Sequence, residues 1–170
     1  MLPTFETGRL LIRPRTIADL GDCLAMDRDP SVTRYVPGPW ADPERHRAFV
    51  LARMRTVYPD GLGYWSVVER AEPATFLGWI LLLPYDAVTD EVEIGWRFVR
   101  ASWGHGYATE AAAPVLDHAF RTVGLDKVVA DIDPANTASI RVAGKLGLEW
   151  VEDREIGGER VKSYQIHRPG

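Results

Sequence analysis

The sequence predicts an α/β fold of the α+β kind, with a central mixed sheet and helices on both faces. Two observations predict it. Three strand-like runs, Tyr64 to Glu69, Phe76 to Pro84 and Val88 to Val99, follow one another in the middle of the chain, and helix-like stripes flank them. The length of 170 residues suits one compact domain, so 1–170 is read as a single unit.

The elements follow in order. Arg9 to Arg13 is a short apolar strand closed by Pro14. Thr16 and Asp19 form an approximate capping box for a helix whose face carries Ile17, Leu20, Cys23 and Leu24. Asp29 to Trp40 holds three prolines and a glycine and reads as a loop. Asp42-Pro43 starts the next helix, on which His46 is expected at the surface or partly packed. Phe76 to Pro84 is continuously apolar and therefore central, whereas Val88 to Val99 alternates Val92, Ile94, Trp96 and Phe98 with Glu91, Glu93, Gly95 and Arg97. A glycine-rich turn leads into a helix from Tyr107 to Val123 with Gly124 at its end. The strand Lys127 to Ile132, a helix from Thr137 to Leu146 and a hairpin around Gly157-Gly158 complete the chain.

Bulk chemistry excludes several classes. The formal net charge is −4 and there is no basic run, which argues against nucleic acid as a partner and leaves room for an amine-bearing substrate. The longest apolar run is too short to span a bilayer, and the N-terminus lacks the pattern of a signal peptide, so a soluble cytoplasmic protein is expected. The single cysteine, Cys23, cannot form an internal disulfide and reads as a small buried residue. No carboxylate and histidine cluster has metal spacing, so no metal is expected.

Three constellations carry chemistry. The first is Trp103-Gly104-His105-Gly106-Tyr107-Ala108-Thr109, between a strand and a helix. Its glycines allow a tight turn, and the helix start behind it offers unpaired N–H groups and a positive dipole end, a geometry that suits phosphate. It is neither a dinucleotide fingerprint nor a Walker loop, and taken alone it is equally a plain turn. The second is Asn136 and Ser139, which could simply cap a helix. The third is Glu93, placed either on a solvated sheet face or in a cleft with a raised pKa.

Together these segments resemble the GNAT superfamily of N-acetyltransferases, and most closely its Rim-type branch, which includes enzymes acetylating ribosomal-protein N-termini. Trp103 to Ala111 is similar to the branch's coenzyme A loop, Glu93-Ile94-Gly95-Trp96 to its Glu-Ile-Gly-Tyr strand, and Asn136-x-x-Ser139 with Lys145-Leu146-Gly147-Leu148 to its Asn-x-x-Ser…Lys-Leu-Gly-Phe segment. The opening Glu6 to Arg13 resembles its first strand. The resemblance implies a GNAT-like, mostly antiparallel sheet splayed into a V between Val88–Val99 and Lys127–Ile132. It implies acetyl-CoA as cosubstrate, with pantetheine paired to backbone near Phe98 and Val99 and pyrophosphate on the amides from Gly104 to Thr109, His105 included. Trp103 stands where the family usually has Gln or Arg, so that contact becomes mostly backbone, helped by Arg100, Arg141 or Lys145. The family's frequent tyrosine acid, seven residues beyond the asparagine, is here Ala143.

The resemblance further implies direct attack of a neutral amine on the thioester in a ternary complex. Glu93 is the expected base, Ser139 the donor to the departing thiolate, and Asn136 a positioning group for cofactor or product. Tyr35, Trp40 and Tyr85, with the Tyr58 to Trp65 segment, are expected to line the acceptor side. The acceptor is a protein N-terminus or a small-molecule amine, and the protein a monomer or homodimer. The alternatives are a noncatalytic acyl-CoA-binding module on the same fold, another acyl donor, and, as the weakest, a ping-pong route through Cys23.

Overall fold

A computed structural model describes residues 1–85 and 90–170. In these residues eight strands form one sheet: β1 (Phe5–Glu6), β2 (Leu10–Pro14), β3 (Gly63–Glu69), β4 (Phe76–Pro84), β5 (Val92–Phe98), β6 (Lys127–Ile132), β7 (Glu149–Ile156) and β8 (Glu159–His167). Their order across the sheet is β1-β2-β3-β4-β5-β6-β8-β7. Five helices accompany them: α1 (Leu20–Asp27), α2 (Pro30–Thr33), α3 (Pro43–Arg55), α4 (Tyr107–Arg121) and α5 (Thr137–Lys145). None of the described helices is long and apolar enough to cross a membrane.

Every strand pair is antiparallel except β5 with β6. A parallel pair needs a crossover, and α4 supplies it. The two strands share a single register pair, Glu93 with Val129, and then part. The sheet therefore opens into a V from Glu93 onward, as expected for a GNAT fold.

The strand pleat separates two apolar layers. Val92, Ile94 and Phe98 pack with Ala111, Val115 and Ala119 of α4, and with Val128, Ala130 and Ile132 of β6. On the opposite face Trp79, Leu81 and Leu83 of β4 pack with Leu20, Cys23 and Leu24 of α1 and Val50 of α3. Glu93 lies across from Leu83 in the β4–β5 register and so belongs to this second face.

Local chemistry sets the helix starts. The Asp42 carboxylate accepts from the N–H groups of Glu44 and Arg45, both at 3.1 Å, and Pro43 takes the first helical position of α3. Asn136 Oδ1 accepts from the Ser139 N–H at 3.2 Å to start α5.

Several expectations need correction. The predicted loop from Asp29 to Trp40 contains α2, because Pro30 fits a first helical position and Asp29 caps the turn through the Ser31 N–H at 2.9 Å. β1 was not expected; two residues give no period, and only its pairing of Phe5 with Ile12 defines it. The strand expected from Val88 is described from Val92, and Val88 and Thr89 lie outside the described residues. His46 is not a surface residue but fully buried, its Nε2 3.0 Å from Asp27 Oδ2. Asp27 also accepts from Arg97 Nη1 at 2.8 Å, so one carboxylate ties α1 to α3 and β5. No periodicity within α3 could reveal that partner.

Candidate active site

A cavity of about 1200 Å³ runs through the gap between β5 and β6 and joins both sheet faces. On the α4 face its wall includes Gly104, Gly106, Tyr107, Ala108 and Thr109. Gly104 and Gly106 have φ of 78° and 77°. That left-handed backbone favours glycine at both positions, and it turns the loop so that α4 begins at the cavity. Gly106 is the N-cap and offers no side chain to the first turn of α4. The early N–H groups of this helix therefore lack a protein cap and remain available to an anion. Arg100, Arg141 and Lys145 stand on the same wall.

The loop is braced from the turn between β1 and β2. Arg9 donates to the His105 carbonyl at 2.8 Å and, through Nε and Nη2, to Glu110 Oε2 at 2.8 and 2.6 Å. Thr7 Oγ1 donates to Glu110 Oε1 at 2.6 Å. These contacts and the neighbouring Arg13–Asp19 ion pair give the opening segment a purpose beyond its strand. Sequence reasoning missed the brace, because its partners lie about a hundred positions apart and carry no local period.

Trp103 has a defined role of another kind. Its Nε1 donates to the Phe98 carbonyl at 2.9 Å, while the Val99 N–H donates to the Leu77 carbonyl at 2.9 Å. Both backbone groups thus have protein partners. Phe98 lines the cavity, but Val99 and His105 are not on its wall. The His105 ring stacks on Tyr107 at 5.4 Å between centroids, with Nδ1 3.1 Å from the Ser102 carbonyl oxygen.

Ser139 faces the gap from α5. Its Oγ accepts from Trp96 Nε1 at 3.2 Å. With an N–H already aimed at the oxygen, the hydroxyl proton is free to point elsewhere. Trp96 was not foreseen as a site residue. Ala143, at the family's tyrosine position, is fully buried in the core.

On the α1 and α3 face the cavity is lined by Tyr35, Trp40, Phe49, Tyr64 and Trp79 and by the arginines Arg15, Arg34, Arg53 and Arg97. Arg15 lies 3.6 Å over the Tyr64 ring, Arg53 3.7 Å over Phe49, and Arg97 5.0 Å from both Trp40 and Trp79. Tyr35 and Trp40, expected on the acceptor side, both line the cavity. Tyr85 is not on the cavity wall, and of the Tyr58 to Trp65 segment Tyr64 alone is. Trp65 is fully buried, its Nε1 donating to the Pro3 carbonyl at 2.8 Å.

Glu93 sits where the strands part and lines the cavity. Burial first, and the Asp131 carboxylate second, push its carboxyl up to about 7, against a smaller pull from Arg53. This is the cleft alternative rather than the solvated face. A carboxylate in that range is a competent proton acceptor near neutral pH. Cys23 touches the same cavity, but burial pushes its thiol up to about 11, so it carries little thiolate. Among the described residues no group of three or more His, Cys, Asp or Glu is placed to hold a metal ion.

Comparison with known proteins agrees with this geometry. Residues 9–149 match the acetyltransferase (GNAT) domain. The chain is 38% identical over 138 residues to the Bacillus subtilis protein YkkB, covering 81% of this chain and 79% of that one. It is 31% identical over 160 residues to an Aspergillus fumigatus protein named FsC-acetyl coenzyme A-N(2)-transacetylase, covering 88% of this chain and 66% of that one. A Bacillus anthracis acetyltransferase of the GNAT family superposes with a TM-score of 0.81 at 28% identity, over 98% of this chain and 99% of that one. The chain belongs to the GNAT acetyltransferase family and is an acyltransferase.

Proposed function

We propose that this protein transfers the acetyl group of acetyl-CoA to a primary amine, a protein N-terminus or a small-molecule amine, in a ternary complex, and that it belongs to the Rim-type branch. The observation that carries the proposal is Glu93, a carboxyl held near neutral pKa at the point where β5 and β6 separate and both faces of the sheet meet. The branch assignment rests on the Trp103 to Ala111, Glu93 to Trp96 and Asn136 to Ser139 segments.

The pyrophosphate lies on the amides from Gly104 to Thr109, with Arg100, Arg141 and Lys145 adding positive charge. Pantetheine enters the gap beside Phe98. The Phe98 carbonyl already accepts from the Trp103 indole, so a pantetheine N–H pairs with its second lone pair or displaces the indole.

The acceptor arrives from the arginine and aromatic side. Its ammonium gives one proton to a Glu93 oxygen, and the neutral nitrogen attacks the thioester carbonyl. The N–C bond forms, the C–S bond breaks, and the second nitrogen proton reaches the departing sulfur with Ser139 as relay. Holding both reactants in one gap supplies much of the rate through orientation. Coenzyme A release from acetyl-CoA, measured across a panel of primary amines, tests the reading. Release above the background rate with at least one amine is expected; none with any amine would reject it.

A further inference from the structure

The α1 and α3 side of the cavity carries more positive charge than its own carboxylates balance. Arg15, Arg34 and Arg53 stand on its wall. Arg34 and Arg53 are exposed and Arg15 is half-buried, so a ligand can reach all three. Among the described residues none of them pairs with an Asp or Glu. Asp19 and Asp27, whose charges reach the Cys23 thiol on this side, are already engaged, the first with Arg13 and the second with Arg97 and His46.

Arg15 and Arg53 converge on Tyr64. Both pull its phenol down, yet burial holds it above the ordinary value. The Cys23 thiol beside Arg15 is raised by burial in the same way. Neither group therefore supplies a counter-charge at neutral pH. Aromatic rings fix the two guanidiniums in place. Arg15 lies 3.6 Å over the Tyr64 ring and Arg53 3.7 Å over the Phe49 ring. At that separation each ring covers a guanidinium face. The five N–H donors lie in the guanidinium plane, more than one phenol or one thiol can take up. Arg15, Arg53 and Tyr64 also line a smaller pocket of about 200 Å³, so they border both spaces. The Glu93 carboxyl feels Arg53 as well, which puts the arginines and the proposed base in one field.

A polycationic acceptor would meet only repulsion here. An oxyanion would meet preoriented planar donors of opposite charge. We propose that the acceptor is an amine that also carries an oxyanion, a carboxylate or a phosphate, which Arg15 and Arg53 receive beside Tyr64 while the amine reaches Glu93. This inference rests on the N-acetyltransferase reading and narrows its acceptor to a class.

The test uses the full chain with Arg15→Gln and Arg53→Gln variants and three acceptors built on one propyl chain: propylamine, 4-aminobutanoate and 3-aminopropyl phosphate. In the wild type kcat/KM should be higher for at least one of the two anionic acceptors than for propylamine, and which of them leads tells carboxylate from phosphate. In each variant the KM of that acceptor, taken as a ratio to the KM of propylamine, should rise about tenfold or more. The ratio cancels any effect that either substitution has on Glu93. An unchanged KM for acetyl-CoA shows that the variants are folded. A wild type that prefers propylamine, or variants that leave the ratio unchanged, would overturn the proposal. Failure of the catalytic reading looks different, as no turnover of any amine. Should the wild type turn over none of the three, the site is judged by NMR with sodium 3-phenylpropanoate. Shifts of the Arg15 and Arg53 Nε–H signals support the oxyanion site, and no shifts reject it.

Discussion

Arg9 donates through Nη2 to the carbonyl oxygen of His105 at 2.8 Å, so the residue just before β2 fixes the turn that begins α4. The same guanidinium holds Glu110 in the first turn of that helix and lies 4.5 Å from the Tyr107 ring centre. The turn is held from outside the cavity, which leaves its inward amides unencumbered. Arg9→Ala should raise KM for acetyl-CoA several-fold while changing kcat less. The pair is half exposed, so the effect should fall short of a buried ion pair. Steady-state kinetics with varied acetyl-CoA checks it.

Gly106 offers a sharper test of the same loop. A Cβ there would meet nothing closer than Arg9 Nη2 at 3.7 Å, so space does not forbid a side chain. The φ of 77° does. Gly106→Val should cost about 1–2 kcal/mol of backbone strain and move the amides out of position. Calorimetric titration should show acetyl-CoA binding lost, with the melting temperature lowered by only a few degrees.

Ser139→Ala should leave acetyl-CoA affinity nearly intact and lower kcat on the order of tenfold to a hundredfold. The Trp96 indole would lose its acceptor at the same time. Binding titration paired with kcat separates this role from simple capping, which belongs to Asn136.

Asp27 predicts a stability effect rather than a catalytic one. Its side chain is 4% exposed and serves both Arg97 and His46. Asp27→Ala leaves a buried guanidinium unpaired and should cost about 3–5 kcal/mol. Thermal melting should fall by roughly 10 °C.

The sequence and the structure agree where the information is local. The alternation around Val92 to Phe98, the cap at Asn136 and the glycines before Tyr107 each declare themselves within a few residues. The V-shaped gap came from the family resemblance and not from any pattern of residues. What stayed hidden was long-range. Arg9 with Glu110, Asp27 with His46 and Arg97, and Asp131 beside Glu93 are joined only by the fold. The Trp103 indole bond to Phe98 was hidden for another reason: its two residues are close in sequence, but only the turn between them aims the indole back at the strand.

Glu93 links stability to function with a definite sign. Its folded-state carboxyl titrates near 7, above its ordinary 4.5, so the folded chain prefers it protonated. That preference costs nothing below about pH 4.5 and destabilises progressively as pH rises through 7. Glu93→Gln should therefore stabilise the protein at pH 8, on the order of 3 kcal/mol, and have little effect at pH 4. Denaturant unfolding at the two pH values measures it.

The central claim is that Glu93 removes the acceptor's proton, and the pH dependence of kcat/KM in wild type and Glu93→Gln addresses it directly. In the wild type the rate should rise with pH through an inflection near 7, where the Glu93 carboxyl ionises. In Glu93→Gln turnover should drop on the order of 10²-fold or more and that inflection should vanish. A variant that keeps both the wild-type rate and the inflection would contradict the account.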